Sequence, residues 1–582
     1  MTLIELLVAL GLIALIFGGA FMSYSAILDT LTNSQLRTGA VSVLNREIEL
    51  VRNLGYENVG IVGGWPTGIL ERQKTVKWSG IDFLVVTTAR NVDDPFDGTL
   101  GGTPNDTAPA DYKTVEFEIS CLQCAHFVPI SMTTTVAPQN LESTAGMGSL
   151  FIYTQTGSGA MVPGVTVHVV NDAVTPTIDL TDTTNNVGVL QLVGVPTSSD
   201  AYKIWISKPG YSSEQTYEQG APANPNPIHP YATVREGQIA PVSFYTDQMS
   251  STTIYTSTPS CGAVQNIPFT LTGTRLIGNV PDVVKVATSS QTNELGVKFF
   301  ENFEWDTYGV SVDAVGFDLI SGVPFLPFTV TPGVPSELRL VYAPHAGPAA
   351  LSLHTRVAGS GDPISNASVT VSRTGYSKSL MTGHAFLEQT SWGVGEFFAQ
   401  SGGIDTGSVP GEIRLSGPPY ATSTTSWLIS NTFDTGSAAS TTLFSLEWLP
   451  LAQPPSTGAG SLSFQIAANN DDATWNFVGP DGTSGSFYTV SGASIPFALS
   501  GNRYVRYRAY LTTADEAETP TVDWVGIEYA GVCVPPASVY FGGLAAGTYD
   551  VRATAIGYVD ATSTIIVANG WQEATLPLSV PE

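Results

Sequence analysis

The stretch "YKIWISKPGY", residues 202–211, recurs as "YGVSVDAVGF" at 308–317 and as "YDVRATAIGY" at 549–558. Each copy opens on tyrosine, alternates apolar with polar residues, places glycine ninth and closes on an aromatic. A period of two belongs to a strand with one buried face, and glycine at a fixed place near its end marks a turn. A strand-like run precedes each copy: "VGVLQLVGV" (187–195), "LGVKFFENF" (295–303) and "ASVYFGGL" (537–544). Further upstream lie "VPGVTVHVV" (162–170), "IPFTLTG" (267–273) and "ISNASVTVSRTGY" (364–376). One such match is weak; three with the same ten-residue spacing are an internal repeat.

The order of strand, strand, then a strand ending in glycine and an aromatic resembles the carboxypeptidase regulatory-like domain, a transthyretin-like seven-stranded sandwich. Those domains are non-catalytic accessories, so the resemblance implies no peptidase. The third copy is split: its first half ends near Gly383 and its second resumes at Cys533. The residues between form an expected inserted domain, which requires the two ends of the insert to lie close together. Its long aromatic-rich strands, such as "RYVRYRAYL" (503–511), resemble the galactose-binding-like jelly-rolls. Trp427, Trp448, Trp475 and Trp524 are the candidates for stacking on a sugar, weighed against the commoner place of such residues in a sandwich core. Arg503, Arg506 and Arg508 read as one polar strand face.

Ahead of the repeats, Leu3–Leu28 runs "LIELLVALGLIALIFGGAFMSYSAIL", with Glu5 its only ionisable side chain. At 1.5 Å per residue it makes about 39 Å of helix, enough to span a bilayer core. The apolar run starts without a basic segment and continues into residues 29–54, where Leu31, Leu36, Val43, Leu44, Ile48 and Val51 form a stripe that ends before Gly55. A carboxylate in such a segment costs a few kcal/mol unless paired. "TLIELLVALGLIALI" from Thr2 resembles the mature N-terminus of type IV pilins and type II secretion pseudopilins. That resemblance implies that a leader peptidase produced and methylated Met1, that Met1 is the mature terminus, and that Glu5 pairs with Met1 of the adjacent subunit during assembly. Many family members carry a helix-breaking proline at position 22; here Met22 stands there, and Gly18 and Gly19 are the candidate points of helix flexibility.

Lys plus Arg number 23 against 50 Asp plus Glu, a net charge of −27, and residues beyond 53 carry 20 of the basic and 46 of the acidic side chains. Such a surface repels phosphate backbones and excludes nucleic-acid partners. Cys121 and Cys124 form either a small disulfide loop or two strand-end thiols; a haem site would need histidine directly after the second cysteine, and zinc would need more ligands than His126. The pairing of Cys261 and Cys533 stays open. Asp93, Asp94 and Asp97 lack calcium-loop spacing and read as a solvated turn. No catalytic constellation, cofactor motif or metal site emerges, and a non-enzyme is expected.

The expected fold class is α+β: a long N-terminal pilin helix (1–54), a β-rich pilin head (55–145) and β-sandwiches at 146–250, 251–345 and 346–383 plus 531–582, with a jelly-roll at 384–530. The expected function is a structural subunit of an extracellular type IV pilus or similar filament. Its partners are identical or related pilin subunits, the cytoplasmic membrane before assembly, the assembly machinery with its leader peptidase, and surface glycans. The rivals are a minor tip adhesin with a glycan-binding jelly-roll, a type II secretion pseudopilin, and an anchored surface protein that never polymerises.

Overall fold

The computed structural model describes residues 3–581 apart from 97, 107–108, 122, 125–126, 139–145, 313 and 439, with side chains from residue 16 onward. The α+β expectation is corrected: a single α-helix, Leu3–Arg52, stands against forty strands among the described residues. The chain is mostly β-sandwich, because the Val-, Thr- and Ile-rich alternation that opens at Gln73 persists to Leu578 with glycine and proline turns between. Two compact units form, residues 1–249 with 276–283, and residues 250–275 with 284–582.

In the first unit the helix lays its C-terminal half on a four-stranded antiparallel meander, Gln73–Trp78, Ile81–Val92, Tyr112–Cys121 and Ile130–Val136 in that order. Leu36, Ala40, Val43, Leu44, Ile48 and Val51 meet Phe83, Val85, Val115, Phe117 and Ile119 in one core. Those helix positions recur every three or four residues, so they share one face. A sandwich follows. One sheet holds Met147–Gln155 between Val189–Pro196 and Ile239–Tyr245, and the other is built on Thr166–Asn171 and Ser198–Ser207. Arg90 reaches from the meander to this sandwich, its Nε and Nη2 donating to both oxygens of the buried Asp182 at 2.7 and 2.5 Å.

The second unit contains two more sandwiches of the same plan. In all three the opening strand pairs in parallel with the closing one: Met147–Gln155 with Ile239–Tyr245, Ser250–Ser257 with Ser336–Pro344, and Ala349–Val357 with Gly570–Leu578. The ten-residue repeat now has a physical meaning. Tyr202, Tyr308 and Tyr549 are buried, and their hydroxyls donate to the carbonyls of Pro196, Glu304 and Ala545 at 2.6, 2.8 and 2.9 Å. The ninth-position glycines, Gly210, Gly316 and Gly557, have φ of 77°, 80° and 85°, a left-handed turn that a Cβ disfavours.

The last sandwich pairs strands from both sides of the insert, Ala349–Val357 with Ser538–Leu544 and Ser368–Arg373 with Gly547–Thr554. The Gly383 amide donates to the Ser538 carbonyl at 3.2 Å, so the chain leaves and re-enters at one place. The insert is itself a sandwich, Ala385–Gln389, Trp524–Ala530 and Thr442–Leu449 in one sheet and Phe397–Gln400, Ser426–Ser430, Tyr504–Leu511 and Leu462–Asn469 in the other. Trp392, Trp448, Phe464, Tyr507 and Tyr529 fill it.

Candidate assembly surface

One helix carries two environments. From Ile16, where the described side chains begin, to Gln35 almost every residue is exposed, and burial starts at Leu36. Phe17, Phe21 and Met22 are 72%, 72% and 75% exposed, and Ile16, Tyr24, Ile27, Leu28 and Leu31 are exposed with them. The hydroxyls on this stretch turn back on their own backbone: Ser23 donates to the Gly19 carbonyl at 2.9 Å, and Thr30 and Thr32 to those of Ala26 and Leu28 at 2.8 Å. A hydroxyl whose proton is spent on the carbonyl four residues earlier has no donor left for another partner, although its oxygen can still accept. Asp29 is the one charged residue between Ile16 and Gln35. The helix passes through Gly18 and Gly19 without a break, and a Cβ on either would meet nothing within 4 Å.

The seated half is held by more than its stripe. Glu47 lies on the buried face with 3% of its side chain exposed, and Lys74 donates to it at 2.5 Å while Arg46 sits 3.2 Å away. Gly39 lets the indole of Trp78 approach so closely that a Cβ would lie 2.5 Å from the ring. Sequence reasoning missed both. The available signal for Glu47 was its place inside the apolar stripe, between Leu44 and Val51.

Met1 and the Glu5 side chain lie outside the described residues, although the backbone of Glu5 is helical. Among the described residues no helix is long and apolar enough to cross a membrane. The expected span, Leu3–Leu28, has no support there, and the side chains of its first half, through Leu15, lie outside the described residues.

Cys121 is bonded to Cys124, and Cys261 to Cys533 across a separation of 272 residues, the pairing the sequence left open. His126 and Asp97 lie outside the described residues. Asp93, Asp106 and Asp111 bring carboxylate oxygens within 4.8 Å of one another. They would supply three of the six to eight oxygens that Ca2+ takes. Asp94 is not in that group: its Oδ1 accepts from the Phe96 amide at 3.1 Å.

The four tryptophans part company. Trp448 is core, 3% exposed and stacked on Phe464 at 4.6 Å. Trp524 is half-buried beside Phe386 at 5.9 Å. Trp427 and Trp475 are half-buried on the outer face of the five-stranded sheet, 5.3 Å from Arg508 and 4.2 Å from Arg506 respectively. The three arginines at strand Tyr504–Leu511 differ as well, because Arg503, just ahead of it, pairs with Asp434 through two hydrogen bonds of 2.7 and 2.8 Å whereas Arg506 stacks between Phe398 and Trp475.

No family model matches the chain, and no curated protein matches it in sequence. Among solved structures it is similar in part to the TIE protein of Bacillus anthracis, at 14% identity over 54% of this chain and 67% of that one, with a TM-score of 0.15. The streptococcal ancillary pilin matches at 10% identity over 40% and 76%, TM-score 0.18. The shaft pilin SpaA of Lactobacillus rhamnosus GG matches at 11% identity over 34% and 98%, TM-score 0.13. These neighbours include β-rich pilins. Scores this low carry no argument about the role of the chain.

Proposed function

We propose that the chain is a structural, non-catalytic subunit of an extracellular filament of the type IV pilus kind, joined to its neighbours through the N-terminal helix. The observation that carries this reading is the exposed apolar half of that helix. Each large apolar side chain left in water forgoes roughly 1.5–3 kcal/mol of burial, and patches of this kind mark interaction surfaces. A second copy of the same helix is the occupant that covers them, stacked head to tail in a heterologous, open-ended contact. In this reading Leu3–Leu28 waits in the cytoplasmic membrane before assembly, a leader peptidase has processed and methylated Met1, and Glu5 takes the Met1 ammonium of the next subunit, which sets the register. The sandwiches project outward for contact with other surfaces.

The test is Glu5→Ala in the producing cell, with electron microscopy of sheared filaments and mass analysis of the terminal residue. The variant is expected to accumulate at the normal level and to give few or no filaments. Filaments at the normal rate, or a terminus other than methylated Met1, would overturn the proposal.

A further inference from the structure

On the outer face of the inserted sandwich, Arg508 has no carboxylate partner among the described residues and lies over the rings of Trp427 and Phe477. Strand Tyr504–Leu511 buries Val505, Tyr507, Ala509 and Leu511 completely on its inner side. Arg508 and Tyr510 point to the other side, level with Trp427 and Gln465 on the flanking strands. Arg508 Nη1 donates to the Tyr510 hydroxyl at 3.2 Å. That hydroxyl donates to Gln465 Oε1 at 2.8 Å, and Gln465 Nε2 donates to the carbonyls of Ser484 and Ser486 at 2.9 Å. The relay fixes the guanidinium in place, 4.2 Å from the Phe477 ring and 5.3 Å from that of Trp427. Phe487, 41% exposed, stands edge-on to Tyr510 at 5.2 Å.

The chain has 50 acidic residues for 23 basic ones, yet none of the ion pairs among the described residues includes Arg508. Its Nε is buried without a hydrogen-bond partner. Arg503, just ahead of the strand, has Asp434, and Arg506 on it has Asp472 at 3.8 Å. A buried N–H donor without an acceptor carries its full desolvation cost, and a ligand oxygen reaching Arg508 Nε would recover it. The rings beside it are flat apolar platforms, and a planar fork beside flat rings suits a ligand with both a carboxylate and an apolar ring face.

We infer that this face binds a saccharide bearing a carboxylate, a uronate or a sialate, with its ring on Trp427 and Phe487 and its carboxylate on Arg508. The inference does not depend on filament assembly and would hold for a chain that never polymerises. The experiment is calorimetry on the full chain with trigalacturonate and with sialyllactose, each beside a neutral counterpart, maltotriose and lactose. One acidic ligand is expected to bind about tenfold or more tighter than its neutral counterpart, more weakly as salt rises, and the stronger of the two identifies the sugar class. Arg508→Gln is expected to lower that affinity about tenfold. Phe487→Ala, at a position 41% exposed, is expected to lower it severalfold with the fold retained and only a small fall in melting temperature. Binding of neither acid, equal binding of acid and neutral ligands, or full affinity in both variants would overturn the inference.

Discussion

The two halves of the N-terminal helix are built from similar residues and live in opposite surroundings. Phe21 and Leu28 face water, whereas Leu36 and Leu44, further along the same helix, are buried against the meander. Hydrophobicity therefore does not decide which half is seated. The decision lies in what the sheet offers: Lys74 for Glu47, the Trp78 ring for the bare backbone of Gly39, and the apolar face of the meander for the stripe. The insert repeats the lesson with tryptophan, Trp448 enclosed and Trp427 on the outer face.

Paired substitutions can break this contrast. Trp448→Ala is expected to cost about 3–5 kcal/mol of unfolding free energy in the inserted sandwich, read from denaturant melts, and Trp427→Ala no more than about 1 kcal/mol. Leu44→Ala is expected to cost about 2–5 kcal/mol in the helix and meander, while Phe21→Ala stays within about 0.5 kcal/mol. Equal costs within either pair would end the distinction. Glu47→Ala sharpens it: Lys74, with 31% of its side chain exposed, can turn to water, so the expected loss is about 1–2 kcal/mol. A loss near zero would leave the apolar stripe as the sole anchor.

The smallest effect concerns pH. Burial, with the nearby Glu528 carboxylate, pushes the Glu447 carboxyl above its ordinary range, against a hydrogen bond from Ser445. A folded-state value above the unfolded one means that the group's contribution is fully present below the unfolded value and is lost as pH rises through the folded one. Glu447→Gln is accordingly expected to raise the melting temperature of the insert slightly at neutral pH and to lose that advantage on acidification below the ordinary glutamate range. A gain that is constant with pH would mean the charge is not the cause.

What could be read from the residues alone was local. The ten-residue repeat located a buried tyrosine and a left-handed glycine three times over, because both are set by the strand they terminate. The helix was legible from its stripe, but the balance of α and β was not: one conspicuous helix outweighed, in the reading, many short strands that each speak weakly. Non-local pairs were out of reach. Nothing near Cys261 announces Cys533, and Asp106 and Asp111 approach Asp93 only after the intervening loop closes. Trp427 and Trp448 look alike in sequence because strand parity assigns a face only once the register is known.

The split sandwich also sets a timetable for synthesis. Strand Ala349–Val357 has its partners in Ser538–Leu544 and Gly570–Leu578, and His354 reaches Ser538 across 184 residues. At about 5–20 residues per second, those partners leave the ribosome on the order of 10–40 s later. The inserted sandwich, whose last strand ends at Ala530, is itself complete only as Ser538 emerges, and the opening strands around it wait with unpaired edges throughout. A chaperone that shields such edges would have most to do here, and a nascent chain stalled before residue 538 would be the species most prone to clump.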